Sequence, residues 1–493
     1  MLRRIVCRTL ERWVDPQTVF AALYASEPVA FWLDSSSSSN SSSDSSSAAD
    51  GPRPDVGPAG TMSYMGAPAT AEAVRDIPAA SVFEFLRDEV GAPTLEGGEA
   101  APGAFRLGWV GWLGYEVGAV ALGTKRSMSR FPDARFMRID RAIAFDHELH
   151  TVTLMFVAGG GDGVKAGDTE EWADVTAQRV AALAEGGAAG EPAVAAVPAS
   201  APAPDAVAAS TVLWRHQRAE YIELVRSCQA LISAGSAYQL CLTNEITVAV
   251  HPEPFATYRA LRAVNATHHG GFLRFDDVSL LSSSPEQFLR ITPAGAITTK
   301  PIKGTRPRGV DANGAGLPAP DDDALRDELL ASVKERAENV MIVDLMRNDL
   351  GRVAVTGSVS VPRLFDVESY RSVHQLVSTV EAQLAPGLSA VDAVEAAFPA
   401  GSMTGAPKIS AMNLLAGLEA GPRGIYAGAF GSFGFDGAVD LAMSIRSIVL
   451  SPEGASIGTG GGITALSVPE EEFDEIEVKA APLLRALGVA GIV

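Results

Sequence analysis

The chain is predicted to be an α+β protein with substantial antiparallel sheet, and three features of the sequence predict it. Tyr221, Leu224, Val225, Cys228, Leu231 and Ile232 recur at helical spacing. The next stretch changes to a period of two, with Leu240, Leu242, Ile246, Val248 and Val250 on one face and Gln239, Cys241, Thr243 and Glu245 on the other. Further on, three apolar runs (426–435, 438–450 and 455–462) are joined by Asp436-Gly437 and Ser451-Pro452-Glu453-Gly454, which are turn sequences of a meander. Helices and strands are interspersed without the regular strand–helix rhythm that a parallel sheet requires.

Taken in order, the start Met1 to Arg8 is basic but has no apolar core of the kind a secretory signal needs. Residues 35 to 47 are nearly all serine, interrupted by Asn40 and Asp44, and read as a solvated loop. Gly108-Trp109-Val110-Gly111-Trp112-Leu113-Gly114-Tyr115-Glu116 reads as a strand edge within an N-terminal β-rich region, 1–185. Residues 186–209, rich in Ala, Pro and Gly and without apolar periodicity, read as a linker, and 210–493 as a second, catalytic unit. That unit opens with the helix around Tyr221 to Ile232, with Gly235 where a C-cap would stand.

Bulk properties narrow the function. At 493 residues the length corresponds to about three domain-sized units, although large single folds reach it too. A net charge of −20 argues against nucleic acid and anionic membrane surfaces as partners. No window approaches the roughly 20 apolar residues needed to span a bilayer. Cys7, Cys228 and Cys241 make no disulfide framework and suit a reducing cytosol, so the protein reads as soluble and cytoplasmic. Cys228, on an apolar helix face, reads as a small buried hydrophobe. None of the three has the Gly-x-Cys-x-Gly setting of a glutaminase nucleophile, so the chain is not expected to release ammonia from glutamine itself.

Several groups can carry chemistry. There are only seven lysines, because arginine supplies most of the positive charge. Lys303, in Pro301-Ile302-Lys303-Gly304-Thr305-Arg306-Pro307-Arg308, is therefore a candidate for work that needs a primary amine. A desolvated ammonium can lose its proton and act as a nucleophile, whereas a guanidinium cannot. A loop lysine paired with a carboxylate is the other reading. Glu335/Glu338 and Glu472/Glu475 are acidic pairs three residues apart, which places each pair on one helical face. Two such faces offer hard oxygen ligands suited to Mg²⁺, while each pair alone also fits a solvated surface. Gly401 to Lys408 superficially suggests a nucleotide-binding loop, but the spacing is short, proline precedes the lysine and isoleucine follows it. Pro407 fits the first turn of a helix, which Thr404 could cap.

The stretch Pro301 to Arg308 resembles a signature of the chorismate-utilising enzymes. The resemblance continues through Ser283-Ser284-Pro285-Glu286, Glu335 to Asn339, Met341 to Arg352, Val373 to Ser378, Gly401 to Lys408 and Gly460-Gly461-Gly462, in order, over roughly residues 210 to 485. It implies a layered fold of antiparallel sheets with flanking helices. It also implies Mg²⁺ held directly by Glu338 and Glu475, with Glu335 and Glu472 acting through water. Glu286 would be the general acid that protonates a departing 4-hydroxyl. Arg446, Lys479 and the amides of Gly460, Gly461 and Gly462 would bind the enolpyruvyl carboxylate, the guanidinium as a fork and the glycines as an anion nest. By periodicity Arg446 sits on the non-core face of a strand with Asp440, Ala442 and Ser444. His374 would line the ring pocket, Thr404 could touch substrate and Tyr426 could cap it, with core roles as the alternatives for His374 and Tyr426.

Within the family, lysine at the position of Lys303 resembles the aminodeoxychorismate synthases, where anthranilate, isochorismate and salicylate synthases usually carry alanine. Gln239 occupies the position where isochorismate and salicylate synthases have a lysine that activates water, and a glutamine cannot deprotonate water. Gly235-Ser236-Ala237-Tyr238 departs from the family's usual Gly-Asp ahead of the aromatic–Gln pair, which bears on local loop geometry. The implied reaction joins chorismate and ammonia, the ammonia coming from a separate glutamine amidotransferase subunit, to give 4-amino-4-deoxychorismate on the way to p-aminobenzoate and folate. Anthranilate synthase component I and a secondary-metabolism relative making the same aminated product are the alternatives. Phe31-Trp32-Leu33-Asp34-Ser35 resembles the tryptophan-pocket region of relatives. If free NH₃ is the substrate, activity with ammonium salts is expected to rise toward alkaline pH.

Overall fold

The structure is a computed structural model, and it describes residues 4–35, 62–91, 102–159, 167–188, 212–308, 319–370 and 373–489. Two antiparallel sheets are stacked face to face, with helices covering both outer faces. In hydrogen-bonded order the first sheet runs Arg4–Leu10, Thr151–Ala158, Arg141–Asp146, Met62–Gly66, Val29–Asp34, His269–Phe275, Val278–Ser284, Ser447–Ser451, Gly454–Ile463, Gln239–Val248 and Gly405–Ala406, with Val212–Trp214 also on Gln239–Val248. The second runs Ile302–Pro307, Val373–Gln383, Ala296–Thr299, Gln287–Ile291, Val439–Met443, Ala429–Gly434, Gly108–Leu113, Ala134–Ile139 and Val74–Ile77, with Ser360–Ser369 also on Val373–Gln383. The expected α+β fold of layered antiparallel sheets with flanking helices is what forms.

Burial of both faces explains why the strands read as apolar runs. Phe31, Leu273, Leu280, Val110, Trp112 and Phe430 point between the sheets. Their neighbours Trp32, Phe272 and Leu281 point the other way, under the helices Pro16–Leu23, Asp168–Ala188, Pro254–Val264 and Pro469–Ala486. On the far side Trp109, Leu113 and Phe433 pack beneath Val82–Glu89, Tyr115–Ala121, Val333–Gly351 and Ala390–Ala397. Gly108–Leu113, expected at a sheet edge, lies inside its sheet between Ala134–Ile139 and Ala429–Gly434. Its glycines answer close packing rather than an edge, since a Cβ on Gly111 would lie 2.0 Å from the Arg135 carbonyl oxygen.

Strands from before residue 160 and after residue 212 share both sheets. The Asp168–Ala188 helix runs three residues into the 186–209 stretch; the rest of that stretch and residues 36–47 of the serine run lie outside the described residues. The helix expected at Tyr221 to Ile232 spans Arg218–Ser233 and ends as its sequence suggested, with Gly235 at φ 79 and the Ser236 amide donating to the Leu231 carbonyl. Among the described residues no helix is long and apolar enough to cross a membrane.

Candidate active site

Lys303 is presented by a break in a ladder. Ile302–Pro307 pairs with Val373–Gln383, but the register slips between Ile302 and Thr305, so Lys303 and Gly304 form a bulge. Gly304 has φ 81, which an L side chain rarely adopts, and a Cβ there would also meet the Glu335 carboxyl at 2.9 Å. A bulge re-aims its side chains out of the pleat, and here Lys303 is carried toward Gly462. A Cβ on Gly462 would lie 3.5 Å from Lys303 Nζ and 2.3 Å from Gln239 Nε2. Gln239 begins the neighbouring strand, is buried, and its Oε1 has no hydrogen-bond partner among the described residues. Thus amine, amide and glycine converge at one sheet end.

Burial alone would push the Lys303 ammonium down, as the sequence suggested. Glu338 above all, with Cys241, Glu286 and Glu475 behind it, outweighs burial and holds the amine above the ordinary lysine value. Burial favours loss of the proton, and carboxylates from distant parts of the chain oppose it.

Glu286 lies at a corner where the chain crosses between sheets. Val278–Ser284 belongs to the first sheet and Gln287–Ile291 to the second, and Pro285, lacking an N–H, stands at the break. A second crossing runs beside it: Val439–Met443 is in the second sheet and Ser447–Ser451 in the first, so the run expected as one strand from 438 to 450 is two. The corners are laced together, with the Met443 amide donating to the Glu286 carbonyl at 3.0 Å and the Ser283 amide to the Arg446 carbonyl at 3.1 Å. The Glu286 carboxyl is buried and accepts the Ser402 hydroxyl at 2.9 Å. Burial raises it to about 7, against the opposing pull of Ser402 and Lys303. Ser402 has no local signal in the sequence for this role, since its partner is 116 residues away.

Arg446 occupies the second corner, not a strand face, with a left-handed φ of 51. Its Nη1 donates to the Lys479 carbonyl oxygen at 3.5 Å, and burial lowers its pKa. Gly460, Gly461 and Gly462 lie in the extended strand Gly454–Ile463, paired with Thr243, Leu242 and Cys241. None has positive φ, so the expected nest of consecutive amides does not form; an extended strand turns alternate amides to opposite sides. On the other side, pairing with Ser447–Ser451 stops at Ile457, which leaves the glycine edge facing the notch made by the two corners. Tyr426 packs its ring flat on Gly458, where a Cβ would lie 2.0 Å from Cγ.

His374 and Thr404 have protein partners. His374 Nδ1 meets Ser369 Oγ at 2.7 Å and Nε2 meets Asp322 Oδ1 at 3.0 Å. The Thr404 hydroxyl donates to the carbonyls of Ala400 and Gly401. It does not cap the following helix, Lys408–Leu418, whose N-cap is Pro407. Lys408 is buried against Asp349 at 2.7 Å and the Ala397 carbonyl at 2.8 Å, a structural tie and not a phosphate ligand.

The acidic pairs lie on the helices Val333–Gly351 and Pro469–Ala486. Asn339, beside Glu338, accepts Ser378 Oγ at 2.5 Å and donates to the Pro301 carbonyl, fixing the first helix to the strand ahead of Lys303. Burial raises Glu338, with Glu335 and Glu475 adding to it, and Glu472 rises for the same cause with Glu475 contributing. Lys334 loses to burial but gains more from Glu472, Glu338, Glu475 and Glu335 together. A Cβ on Gly461 would lie 2.9 Å from Glu472 Oε2. Four hard carboxylate donors whose charges are felt in common at Lys334 fit Mg²⁺ in donor chemistry. Among the described residues, however, no three His, Cys, Asp or Glu groups are gathered around a metal position, and Glu475 Oε1 instead pairs with Lys479 Nζ at 2.6 Å. Lys479 also donates to the Gly460 carbonyl at 2.8 Å.

Beneath the site Arg423, buried, pairs with Glu419 and donates to the carbonyls of Met403 and Cys241. It thereby joins the turn that carries Ser402 to the strand that carries Gln239.

The chain is similar to known proteins along most of its length. An aminodeoxychorismate synthase of Streptomyces pristinaespiralis is 41% identical over 479 residues, covering 96% of this chain and 64% of the relative. The chain thus spans a little under two-thirds of that protein's length. An anthranilate synthase component 1 of Geobacillus stearothermophilus is 36% identical over 398 residues, covering 79% of this chain and 75% of the relative. The crystal structure of anthranilate synthase component I from Streptococcus pneumoniae superposes with a TM-score of 0.62 at 29% identity, covering 81% of this chain and 85% of that one. The model of the chorismate binding enzyme family matches residues 47–485, a span that takes in the second sheet, most of the first and the notch between the corners, and the chain therefore belongs to the chorismate-binding enzymes.

Proposed function

We propose that this protein aminates chorismate at ring carbon four to give 4-amino-4-deoxychorismate, toward p-aminobenzoate and folate, in the cytoplasm and with ammonia from a glutamine amidotransferase partner. The observation that carries the reading is the Lys303 bulge, with its amine beside Gln239 and Gly462 and within the electrostatic reach of Glu286. The name of the Streptomyces relative points the same way. Lys303 Nζ, as free amine, forms a bond to ring carbon two. Both conjugated ring double bonds shift by one position, and the 4-hydroxyl leaves as water with the proton of Glu286. Ammonia then adds at carbon four, both double bonds shift back, the bond to Lys303 breaks, and the Glu286 carboxylate takes a proton from the incoming nitrogen. The sum is chorismate plus ammonia giving product plus water, with configuration at carbon four retained by two successive displacements. Mg²⁺ on Glu338 and Glu475 would neutralise the charge that keeps Lys303 protonated and bind the ring carboxylate. Glu286, at about 7, exists in both forms near neutrality, which suits a group that gives and then takes a proton. Arg446, whose guanidinium donates to the Lys479 backbone carbonyl, and the Lys479 ammonium would hold the second carboxylate.

The test is mass spectrometry of the product formed from chorismate, Mg²⁺ and ammonium, with Lys303→Ala alongside. Aminodeoxychorismate from the native chain, lost or much slowed in the variant, is the expected outcome. Anthranilate with pyruvate would replace this reading with the activity named for the Geobacillus relative.

A further inference from the structure

The two groups assigned to the second carboxylate are not in the same state. Among the described residues Arg446 forms no ion pair, and its guanidinium borders the notch with only the Lys479 carbonyl as partner. Lys479 is already committed: its ammonium contacts Glu475 Oε1 at 2.6 Å and the Gly460 carbonyl at 2.8 Å. Glu475 is one of the two carboxylates assigned to the dication. An ammonium at contact distance offsets the charge that draws Mg²⁺ to this carboxylate and repels the dication beside it, so the two cations compete for Glu475. Lys334 and Lys303, the other cations whose charge reaches Glu475, form no such contact pair among the described residues, so displacement falls on Lys479.

We propose that Lys479 is an exchangeable counter-ion that couples metal binding to substrate binding. It holds Glu475 while the dication is absent and, when Mg²⁺ takes Glu475, turns its ammonium to the substrate carboxylate beside Arg446. The proposal rests on the reading of Glu475 as a Mg²⁺ ligand. Its geometry suits exchange. The pair is one helical turn apart on Pro469–Ala486, and its side chains are 47% and 28% exposed, which is too open for a tight lock. Lys479 is a positioning residue for Glu475 in one state and a carboxylate ligand in the other. Because coupling between two ligands is reciprocal, the substrate must also tighten Mg²⁺ through the same residue.

The experiment is calorimetric titration of Mg²⁺ alone into the native protein, Lys479→Met, Lys479→Gln and Glu475→Gln. It is then repeated with saturating chorismate in a Glu286→Gln background without ammonium, which removes the second reactant and slows what chemistry is left. Removing the competitor should tighten Mg²⁺ roughly two- to five-fold in both Lys479 variants without substrate, the worth of a partly exposed ion pair. The factor by which chorismate tightens Mg²⁺ should shrink in those same variants. The second variant keeps the test open if the first unfolds. Mg²⁺ binding that needs Glu475 but is unchanged or weakened in both Lys479 variants overturns the exchange alone. Mg²⁺ binding indifferent to Glu475→Gln overturns the exchange together with the reading beneath it.

Discussion

A carboxyl group that must deliver a proton at neutral pH needs an environment that penalises its charge, and Glu286 has one: burial raises it to about 7 while the Ser402 hydroxyl and Lys303 restrain the rise. The working form in the first displacement is the protonated acid, so kcat at saturating ammonium should fall as pH climbs through about 7. Ser402→Ala removes a donor to the carboxylate, which favours the acid and should move that limb to higher pH. Glu286→Gln should cost roughly 10²–10⁴-fold in kcat and abolish the limb. A limb that survives in Glu286→Gln, or that does not move in Ser402→Ala, would assign it to another group. Ammonia availability acts on the ammonium KM in the opposite direction, so the two parameters must be measured separately.

Irregularities in the strands place these residues. A regular edge strand would point Lys303 along the pleat; the slip between Ile302 and Thr305, allowed by Gly304 in a left-handed conformation, points it at the end of Gly454–Ile463. Glycine at 462 then leaves room for two side chains. Gly462→Ala would set a Cβ 2.3 Å from the Gln239 amide and 3.5 Å from the Lys303 amine. The colliding amide ends a flexible side chain, so folding should cost about 1 kcal/mol, while displacement of amide and amine should lower turnover roughly 100-fold. Denaturant unfolding and steady-state rates on the same sample check both; native turnover would show that Gln239 and Lys303 do not need this spacing.

Across the whole molecule, the notch exists because two strands change sheets side by side, at Pro285-Glu286 and at Ser444-Ile445-Arg446. Such a change needs both sheets present, and both draw strands from either side of residues 189–211. A chain nicked within 189–211 should therefore elute as one species, bind chorismate and unfold in a single transition. Separation of the fragments without denaturant would mean that the shared sheets do not hold the halves together. On the proposed reading a net charge of −20 opposes a dianionic substrate at long range, so Arg446 and Lys479 would supply the local attraction.

By itself the sequence determined the fold class, the helix at Arg218–Ser233 with its Gly235 terminus, and the strand from Gln239 with its two faces. These are local matters: period, turn chemistry and motif order are written in neighbouring residues. Only the tertiary structure decided that the run from 438 to 450 breaks between sheets, because strands buried on both faces look equally apolar on either side of such a break. It also decided that Gly460 to Gly462 form an extended edge and no nest, that Glu286 answers to Ser402, and that Lys479 holds Glu475. The Lys303 amine shows the reason most directly. Its desolvation could be anticipated from its setting, but its protonation is set by Glu338, Glu286 and Glu475, which only the folded chain brings to it.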